Sequence, residues 1–513
     1  MGTTQSRRPE LADVARLARR LADRAVDAAR TEDKPLRRLL VGHLGADADS
    51  VPAVSGSWPT YEHVNLQAGL EAWLAGPGRR FELVGITGAM RGMDYGISLL
   101  IADPGRHGLG AGGVATIALP AGPGGVTRRC VQHGLYLVDD NGARLALLVH
   151  GREQGPYAEV ILDVAGPDAG RITSALEEIR RLVSERSVFR GQVIAVGTWL
   201  EPKFGGQVPV TFLDRPAVGR SDVILPDGVL EAIERQVLGV ARHAGRLRAG
   251  GQHLKRGVLL HGAPGTGKTH TVRYLLGQMD GVTAIILSGP ALTRIKEACS
   301  VARALQPSVV VVEDVDLIGE ERMPRMGPVI GHHPLLFQLL GEMDGLDSDI
   351  DVTFLLTTNR PEILEPALAA RPGRVDLAAE LPLPDAAARR RLVRLYQGGV
   401  VLDLAEPERV IERTEGVTAS FLKELIRKAA LLACEDGTGS EPAAGGRAAT
   451  ETAHAAPIRV TDEHMTTALD QLLDTKSQLT RVLLGGGQPG NALPDEALRG
   501  PVPRPGPLPA ATP

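Results

Sequence analysis

The stretch Gly262-Ala263-Pro264-Gly265-Thr266-Gly267-Lys268-Thr269 decides the fold of this chain. It fits the spacing G-x-x-x-x-G-K-[ST], in which glycines let backbone N–H groups turn toward phosphate oxygens. The apolar residues 258–260 before it predict a buried strand, and the residues from Thr269 and His270 onward predict a helix. We expect residues 262–270 to bind the phosphates of ATP at the positive end of that helix, with Lys268 on the β- and γ-phosphates and the Thr269 hydroxyl on Mg²⁺.

A second signal is the stretch Ser308-Val-Val-Val-Val-Glu313-Asp314-Val-Asp316. Its four consecutive valines predict a buried strand that ends in acids. In a parallel sheet this strand end lies at the carboxyl edge, beside the phosphate loop. We expect the Glu313 carboxylate to help hold Mg²⁺ and the Asp314 carboxylate to polarise the attacking water. The alternative is a core strand capped by solvated acids, and the phosphate loop upstream favours the functional interpretation.

A third signal is Val352-Thr-Phe-Leu-Leu-Thr-Thr-Asn359, another apolar run that predicts a buried strand with a polar end. Asn359 would lie between the acids and the γ-phosphate, where its amide can orient the water. An isolated Asn at a strand end is commonly only a turn residue. The stretch from Arg360 to Asp376 favours the functional interpretation, because it completes a family resemblance.

Four stretches together resemble the AAA family of ATPases: GAPGTGKT at 262–269, VVVVEDVD at 309–316, LLTTNRPEILEPALAARPGRVD at 355–376 and GVTASFLKELIRKAALLA at 416–433. The resemblance covers roughly residues 216–480. It implies an α/β fold with a P-loop parallel-sheet nucleotide domain and a small helical lid. It also implies a homo-oligomeric ring, often a hexamer, with ATP between neighbours.

By the same resemblance, Asn359 is the first sensor of the γ-phosphate. Arg371 and Arg374 fall where arginine fingers reach the nucleotide of the neighbouring subunit, and a positioned Arg stabilises the charge of the transition state. The alternative for each Arg is a structural salt bridge. Residues 417–433 correspond to the lid helix beside the nucleotide, with Thr418 as its predicted N-cap.

The chain departs from the family in three places. Glu313-Asp314 stands where most members carry Asp-Glu, which shifts each carboxylate by a methylene and predicts slower or differently aligned water activation. The stretch 287–300 contains no aromatic residue, although members that thread proteins carry an aromatic-apolar-Gly loop there. One extra residue precedes Arg371, which leaves open which Arg is the finger.

The pattern of the chain predicts four regions. Residues 1–215 form a mixed α+β N-terminal region, with a helix within 7–38, strands at 135–138, 144–149, 158–164 and 192–196, and a helix at 171–184. Residues 216–385 form the large ATPase domain. Residues 386–483 form the helical lid, with a flexible insert at 436–457 and a last helix at 461–483. Residues 484–513, rich in Pro and Gly, form a disordered tail.

Composition limits the partners. The net charge is −4 and aromatic residues make up 3% of the chain, which argues against a nucleic-acid-binding module. The three cysteines have no metal-ligand or redox spacing, and no apolar run has the length of a membrane span. We therefore expect a cytoplasmic protein. The sequence also lacks the HExxH zinc site of the membrane-bound AAA proteases.

These observations predict an ATPase that converts hydrolysis into conformational work on a protein partner, which the N-terminal region recognises. Two other hypotheses stay open at this point. One is a nucleotide-binding scaffold that barely hydrolyses ATP, and the other is a DNA-associated remodeller. Ring size and the identity of the partner are not encoded in any motif of the sequence.

Overall fold

The described residues form two seven-stranded sheets and a helical lid that contains a short two-stranded sheet. The computed structural model describes residues 35–45, 50–88, 95–102, 109–151, 159–197, 210–316, 334–345, 350–362, 364, 374–436 and 457–473. Within these residues no helix is long and apolar enough to cross a membrane.

The N-terminal domain is a seven-stranded antiparallel sheet with helices on both faces. Its elements are α1 (Pro35–Leu44), β1 (Ala53–Pro59), α2 (His63–Leu74), β2 (Arg79–Thr87), α3 (Ile97–Ala102), β3 (Gly110–Gly112), β4 (Ala115–Pro120), β5 (Thr127–Asp140), β6 (Ala143–Gly151), β7 (Glu159–Ala165) and α4 (Ala169–Glu185). The strand order is β1-β7-β6-β5-β2-β3, and β4 pairs with β5. The mixed α+β character predicted for this region is confirmed.

Alternating side chains explain why this sheet carries helices on both faces. In β5, Leu135 and Leu137 pack in a cluster with α1 and α3, whereas Tyr136 and Val138 pack in a cluster with α2 and α4. Successive side chains of a strand point to opposite faces, so one apolar stretch fills two cores. Helix α4 begins after Asp168, whose carboxylate accepts hydrogen bonds from the backbone N–H groups of the first turn.

The buried histidines of this domain are held by neighbouring protein groups. The ring of His63 lies 2.8 Å from the carbonyl oxygen of Val131. His150 Nε2 lies 3.2 Å from a carboxylate oxygen of Asp163, and His133 Nδ1 lies 3.0 Å from the Tyr95 hydroxyl. Within the described residues no group of three or more His, Cys, Asp or Glu side chains could hold a metal ion.

The second domain is built on a mostly parallel seven-stranded sheet. Its elements are β8 (Val193–Val196), β9 (Val210–Leu213), α5 (Val229–Glu234), α6 (Val240–Arg242), α7 (Ala244–Ala249), β10 (Arg256–His261), α8 (Lys268–Gly277), β11 (Thr283–Leu287), α9 (Ile295–Ala304), β12 (Ser308–Val312), α10 (Pro334–Asp344), β13 (Val352–Thr358) and β14 (Leu377–Glu380). The order is β14-β10-β13-β12-β11-β8-β9, and only β9 runs antiparallel to its neighbour. The predicted parallel α/β nucleotide domain is confirmed.

Helices cover both faces of this parallel sheet. Helices α9 and α10 pack on one face and α5 and α8 on the other. Strands β12 and β13 are buried along their whole length. A strand covered on both sides needs apolar residues at every position, which explains the continuous run of valines in β12.

The predicted boundary at residue 215 is wrong in one respect. Strands β8 and β9 lie in the parallel sheet of the ATPase domain, although the sequence analysis assigned them to the N-terminal region. Strand β8 pairs in parallel with β11 and continues the sheet on the side away from the phosphate loop strand. Strand β8 begins 63 residues before β10, the strand that leads into the phosphate loop (256 − 193 = 63). The alternation of strands and helices around the loop therefore did not reveal that β8 belongs to the same sheet.

The junction between the two domains is fixed by hydrogen bonds to both. The Asn65 side chain of α2 accepts from the backbone N–H of Val188 at 2.8 Å. The Gly191 N–H donates to the Thr283 hydroxyl of β11 at 3.0 Å. Apolar side chains also continue across it, because Val64 and Cys130 belong to the same buried cluster as α9. The N-terminal domain therefore shares a hydrophobic core with the ATPase domain.

The lid follows the sheet as a group of helices with a two-stranded parallel ribbon. Its elements are α11 (Ala386–Gln397), β15 (Val401–Asp403), α12 (Pro407–Arg413), α13 (Ala419–Glu435), β16 (Arg459–Thr461) and α14 (Asp462–Leu473). As the sequence predicts, Thr418 caps α13, its hydroxyl accepting from the Phe421 N–H at 3.4 Å. Residues 1–34, 437–456 and 474–513 lie outside the described residues, and with them the start of the N-terminal helix, the insert, the end of the last helix and the tail.

A truncation tests the position of the boundary. A chain that begins at residue 216 lacks two strands of the ATPase sheet and leaves the edge of β11 unpaired, so we expect aggregation or loss of cooperative unfolding. A chain that begins at residue 187 keeps both strands but loses Val64 and Cys130 of the shared core, so we expect it to unfold cooperatively at a lower melting temperature than the full chain. Circular dichroism melting and size-exclusion chromatography compare the two. Equal melting temperatures for both chains would contradict the assignment of β8 and β9 to this sheet.

Candidate active site

The phosphate loop joins β10 to α8 at the carboxyl edge of the parallel sheet. Gly262, Gly265 and Gly267 all have positive φ angles, of 144°, 82° and 105°. Residues with a Cβ rarely adopt such angles, which is why the loop needs glycine there. Gly267 precedes the first residue of α8 and provides no side-chain cap. The N–H groups at this helix end are therefore available to an anion.

Lys268 lies inside the loop. Its Nζ donates to the carbonyl oxygens of Gly262 and Ala263 at 2.7 and 2.9 Å, so the side chain curls back across the loop. Burial lowers the pKa of the Lys268 ammonium, while the nearby carboxylates of Asp314 and Asp316 oppose this shift. A cation already held within the loop can transfer its hydrogen bonds from carbonyls to phosphate oxygens.

Thr269 and Glu313 face each other from α8 and the end of β12. A side-chain hydrogen bond joins them, and Thr269 is exposed. Burial raises the pKa of the Glu313 carboxyl, the Thr269 hydrogen bond lowers it, and the charge of Asp314 raises it again. A hydroxyl and a carboxylate are hard oxygen donors of the kind that Mg²⁺ takes together with phosphate oxygens. The residues present therefore fit an Mg²⁺ ion bound with a nucleotide.

Asp314 lies at the next position in an uncommon backbone conformation. Its φ angle is 50°, in the left-handed region that Asp tolerates better than most residues. Its N–H donates to the Thr357 hydroxyl at 2.9 Å, and its carboxylate accepts from the Asn359 side chain at 3.2 Å. The two residues that the sequence analysis placed beside the γ-phosphate are thus in direct contact.

Asp316 is a site residue to which the sequence analysis gave no role. It is buried, and one of its carboxylate oxygens accepts from the Thr358 hydroxyl at 2.8 Å and from the Asn359 N–H at 3.2 Å. These bonds hold the end of β13, and with it the position of Asn359. The sequence shows Asp316 as a third acid after Glu313-Asp314, but it does not show which groups the Asp316 carboxylate contacts.

A cavity of about 290 Å³ adjoins the phosphate loop at Thr266. Ile224 and Leu225 line one side, and Leu392 and Ala419 of the lid line the other. The same cavity is also lined by Asp227, Asp385 and Arg391, so it offers a flat base both apolar side chains to pack against and polar groups to bind. Sequence reasoning missed Ile224 and Leu225, because no motif marks the loop before α5.

The lid touches the phosphate loop directly. The Ser420 N–H at the start of α13 donates to the carbonyl oxygen of Gly265 at 3.2 Å. A Cβ at Gly265 would lie 2.0 Å from the Ser420 hydroxyl oxygen. The backbone of Gly265 therefore packs directly against the lid, and this close packing leaves no room for a side chain. A movement of the lid would act on the phosphate loop through this contact.

Of the two predicted arginine fingers, the structure describes Arg374 but not Arg371. Arg374 is buried and forms an ion pair with Asp344 at the end of α10, with Nε 2.6 Å from a carboxylate oxygen. It lies beside Gly257 at the amino end of β10, whereas the phosphate loop follows the carboxyl end of the same strand. In a single chain Arg374 thus forms the salt bridge given above as the alternative, and its finger role stays a prediction. Arg371 lies outside the described residues.

The loop, the acidic end of β12 and the parallel sheet define a P-loop nucleotide-binding domain. Residues 258–383 match the family model described as "ATPase family associated with various cellular activities (AAA)". The chain therefore carries an AAA ATPase domain, as the sequence resemblance implied.

Several curated relatives are each similar to somewhat less than half of the chain. The ATP-dependent zinc metalloprotease FtsH 2 of Symbiobacterium thermophilum is 34% identical over 252 residues, which are 46% of this chain and 41% of the relative. The ATP-dependent zinc metalloprotease FtsH of Nitrosococcus oceani is 34% identical over 240 residues, which are 44% and 36%. The FtsH of Mycobacterium tuberculosis is 35% identical over 241 residues, which are 44% and 31%. The chain thus spans less than half the length of these relatives.

Replacement of Gly265 by Ala tests the contact between lid and loop. The new Cβ would collide with Ser420 and adopt a strained backbone, so we expect the Kd for ATP to rise at least about tenfold. Isothermal titration calorimetry with ATP measures it. Gly281→Ala is the matched control, because Gly281 has φ 73° but open space around its Cβ position. An equal loss of affinity in both variants would show that strain alone, and not the lid contact, matters.

Two substitutions of Asp316 separate its hydrogen bonds from its charge. Asp316→Ala removes the acceptor that holds Thr358 and Asn359, so we expect kcat for ATP to fall at least tenfold with a smaller change in KM, and stability to fall by about 1–3 kcal/mol. Asp316→Asn keeps one acceptor oxygen, and we expect it to retain most of the kcat. Steady-state kinetics and thermal melting provide the measurements. Similar kcat values for the Ala variant and the unmodified chain would rule out a positioning role.

Proposed function

We propose that this chain is an ATP-dependent remodelling ATPase that hydrolyses Mg²⁺–ATP at the interface between subunits of a ring. The observation that carries the proposal is the convergence of Lys268, Glu313, Asp314 and Asn359 at one edge of the parallel sheet. The proposed partner is a protein. The proposed ring has six subunits, by analogy with the family. These finer statements go beyond the match of the AAA domain itself.

Binding of ATP uses the phosphate loop and the adjoining cavity. The N–H groups at the start of α8 and the Lys268 ammonium bind the phosphate oxygens, and the cavity beside Thr266 receives the base. Thr269 and Glu313 hold the Mg²⁺ that accompanies the phosphates. The ion neutralises negative charge on the phosphate oxygens when it is bound.

Hydrolysis depends on the Asp314–Asn359 pair. The Asp314 carboxylate accepts a proton from the attacking water, and the Asn359 amide holds that water in line with the γ-phosphate. Asp316 keeps Asn359 in place through the end of β13. Arg371 or Arg374 of the neighbouring subunit would stabilise the charge on the γ-phosphate, so that a lone subunit hydrolyses slowly.

Conformational work follows from the contact between lid and loop. Because Ser420 binds the backbone of Gly265, loss of the γ-phosphate can move the lid. The N-terminal domain shares a core with the ATPase domain, so it would move with the large domain and carry a bound protein partner along. The absence of an aromatic residue in 287–300 favours remodelling without threading of a polypeptide.

The test is ATP turnover per protomer over a range of protein concentrations, with Mg²⁺ present. We expect turnover per protomer to rise with concentration, because neighbours complete the site. Asp314→Asn should lower kcat by about 10²–10⁴ while ATP binding persists. Lys268→Ala, as control, should lose both binding and turnover.

Two results would contradict the proposal. Background turnover at every concentration, with ATP still bound, would indicate a nucleotide-dependent scaffold instead. Turnover that rises only when DNA is added, with an affinity for DNA that falls steeply with salt, would indicate a DNA-associated remodeller.

A further inference from the structure

The backbone of Asp314 departs from the geometry of the strand that leads into it. Its φ angle is 50°, whereas a residue of a parallel strand has a φ angle of about −120°. Asn141 is the one other non-glycine residue with a positive φ angle among the described residues. It lies with Gly142 in the tight turn between β5 and β6, where such angles are common. Asp314 instead follows a central strand, so its conformation needs support from its surroundings.

The hydrogen bonds that run from β12 to β13 begin in a regular register. The Ser308 N–H donates to the carbonyl oxygen of Asp351, 43 residues later in the chain (351 − 308 = 43). Parallel pairing continues from there to the pair Val312–Leu356. Every second residue of a strand bonds to the same neighbouring strand, so this register would bring the Asp314 N–H to the carbonyl oxygen of Thr357 (357 − 314 = 43).

This register breaks at Asp314. The Thr357 carbonyl oxygen accepts from the Val315 N–H at 2.8 Å, one residue later than the register requires. The Asp314 N–H donates instead to the Thr357 hydroxyl at 2.9 Å. On the other side of β12, the Glu313 N–H still donates to the Leu287 carbonyl oxygen of β11 at 3.0 Å. The break therefore concerns the contact with β13.

One buried residue compensates for the break. Thr357 is 1% exposed, and its hydroxyl and carbonyl oxygens accept from the N–H groups of two consecutive residues. The hydroxyl thus replaces the carbonyl acceptor that the Asp314 N–H has lost. Without this hydroxyl, a partly buried N–H group would have no partner, which is costly. The left-handed conformation of Asp314 therefore depends on the Thr357 side chain.

The backbone conformation of Asp314 decides where its carboxylate lies. In an extended strand, residue 314 would share the face of Val310 and Val312, which α9 and α10 cover. The left-handed conformation turns the side chain out of this alternation, and its carboxylate accepts from the Asn359 side chain at 3.2 Å. An aspartate side chain has one methylene, which is too short to correct for a change in backbone direction. The group that holds the backbone of Asp314 therefore also directs its carboxylate.

We propose that Thr357 is a positioning residue for ATP hydrolysis, which holds the left-handed backbone of Asp314 and so directs the Asp314 carboxylate toward the attacking water. The inference rests on the proposed function and deepens it, because it names the group that sets the geometry of the base. Asp316 acts on the other member of the pair, since it binds the N–H of Asn359. The Asp314–Asn359 pair is thus held from both sides.

Two substitutions of Thr357 test the role of its hydroxyl. Thr357→Val keeps the shape of the side chain and removes the acceptor of the Asp314 N–H. We expect kcat for ATP to fall at least about tenfold while KM and the Kd for ATP change less than about twofold, because the base is misplaced and the phosphate loop is not. Thr357→Ser keeps the hydroxyl, so kcat should recover to within about threefold of the unmodified chain. Steady-state kinetics, at protein concentrations where turnover per protomer no longer rises, and isothermal titration calorimetry provide the measurements.

Thr353→Val is the matched control. Thr353 lies four residues earlier in β13 (357 − 353 = 4), on the same face of the strand, and is equally buried with 1% exposure. It pairs with Arg256 and Val309, toward the amino ends of β10 and β12 and away from the site. We expect this variant to keep kcat. Equal loss of kcat in both Val variants would overturn the proposal in favour of a general effect of packing in β13.

A double-mutant cycle shows whether Thr357 acts through Asp314. Asp314→Asn removes the proposed base, so the direction of its side chain no longer matters for proton transfer. Adding Thr357→Val to this variant should lower kcat by less than about a further twofold. A further loss as large as that in the unmodified background would overturn the proposal, because Thr357 would then contribute by another route.

Amide hydrogen exchange measures the backbone of the full chain directly. We expect peptides that span residues 313–316 to exchange at least about tenfold faster in Thr357→Val than in Thr353→Val, because the Asp314 N–H has lost its acceptor. Equal exchange in the two variants would overturn the proposal. Turnover by the unmodified chain that Thr357→Val leaves unchanged would also overturn it, and would leave the proposed function standing. Background turnover by the unmodified chain would reject the hydrolysis proposal itself, and this inference with it.

Discussion

Parallel pairing of β10, β13 and β12 is the constraint on which the site depends. His261 pairs with Thr358, and Val312 pairs with Leu356, so the three strands end within two residues of each other. The chain leaves each strand at the same edge, and the phosphate loop, Glu313-Asp314 and Asn359 follow there. Because these strands are buried on both faces, their polar ends fix the register: a slip of β12 by one residue would draw the Glu313 carboxylate into the apolar layer, where burial of an unpaired charge is costly. Core packing thus determines the positions of the polar groups above it.

The polar groups at this edge are held by one another as well as by the strands. Asp316 binds the end of β13, Thr357 binds the N–H of Asp314, and Asp314 accepts from Asn359. Removing one member leaves a buried donor or acceptor without its partner, which costs more than the bond itself contributes. This chain of contacts explains how a carboxylate in a left-handed backbone conformation is held in a defined position.

Much of this arrangement could be predicted from the sequence, and the reasons for the remainder are physical. The phosphate loop and the valine strand are local signals, since glycine spacing and continuous hydrophobicity are properties of adjacent residues. The lid helix and its Thr418 cap are local in the same way. Strand β8 was assigned to the wrong domain because it pairs with β11, a strand some ninety residues later (283 − 193 = 90). The wall of the cavity at Ile224 and the ion pair of Arg374 are likewise products of tertiary contact, which no short pattern reports.

The junction between the two domains has a mechanical consequence. Asn65 and Thr283 anchor it from opposite sides, and a common core runs beneath it. A flexible tether would dissipate a displacement of the ATPase sheet before it reached a bound molecule. In the proposed remodelling cycle, a joint held from both sides would make the N-terminal domain a lever arm, so that a rotation of a few degrees at the sheet would become a larger linear displacement at the far end of the arm.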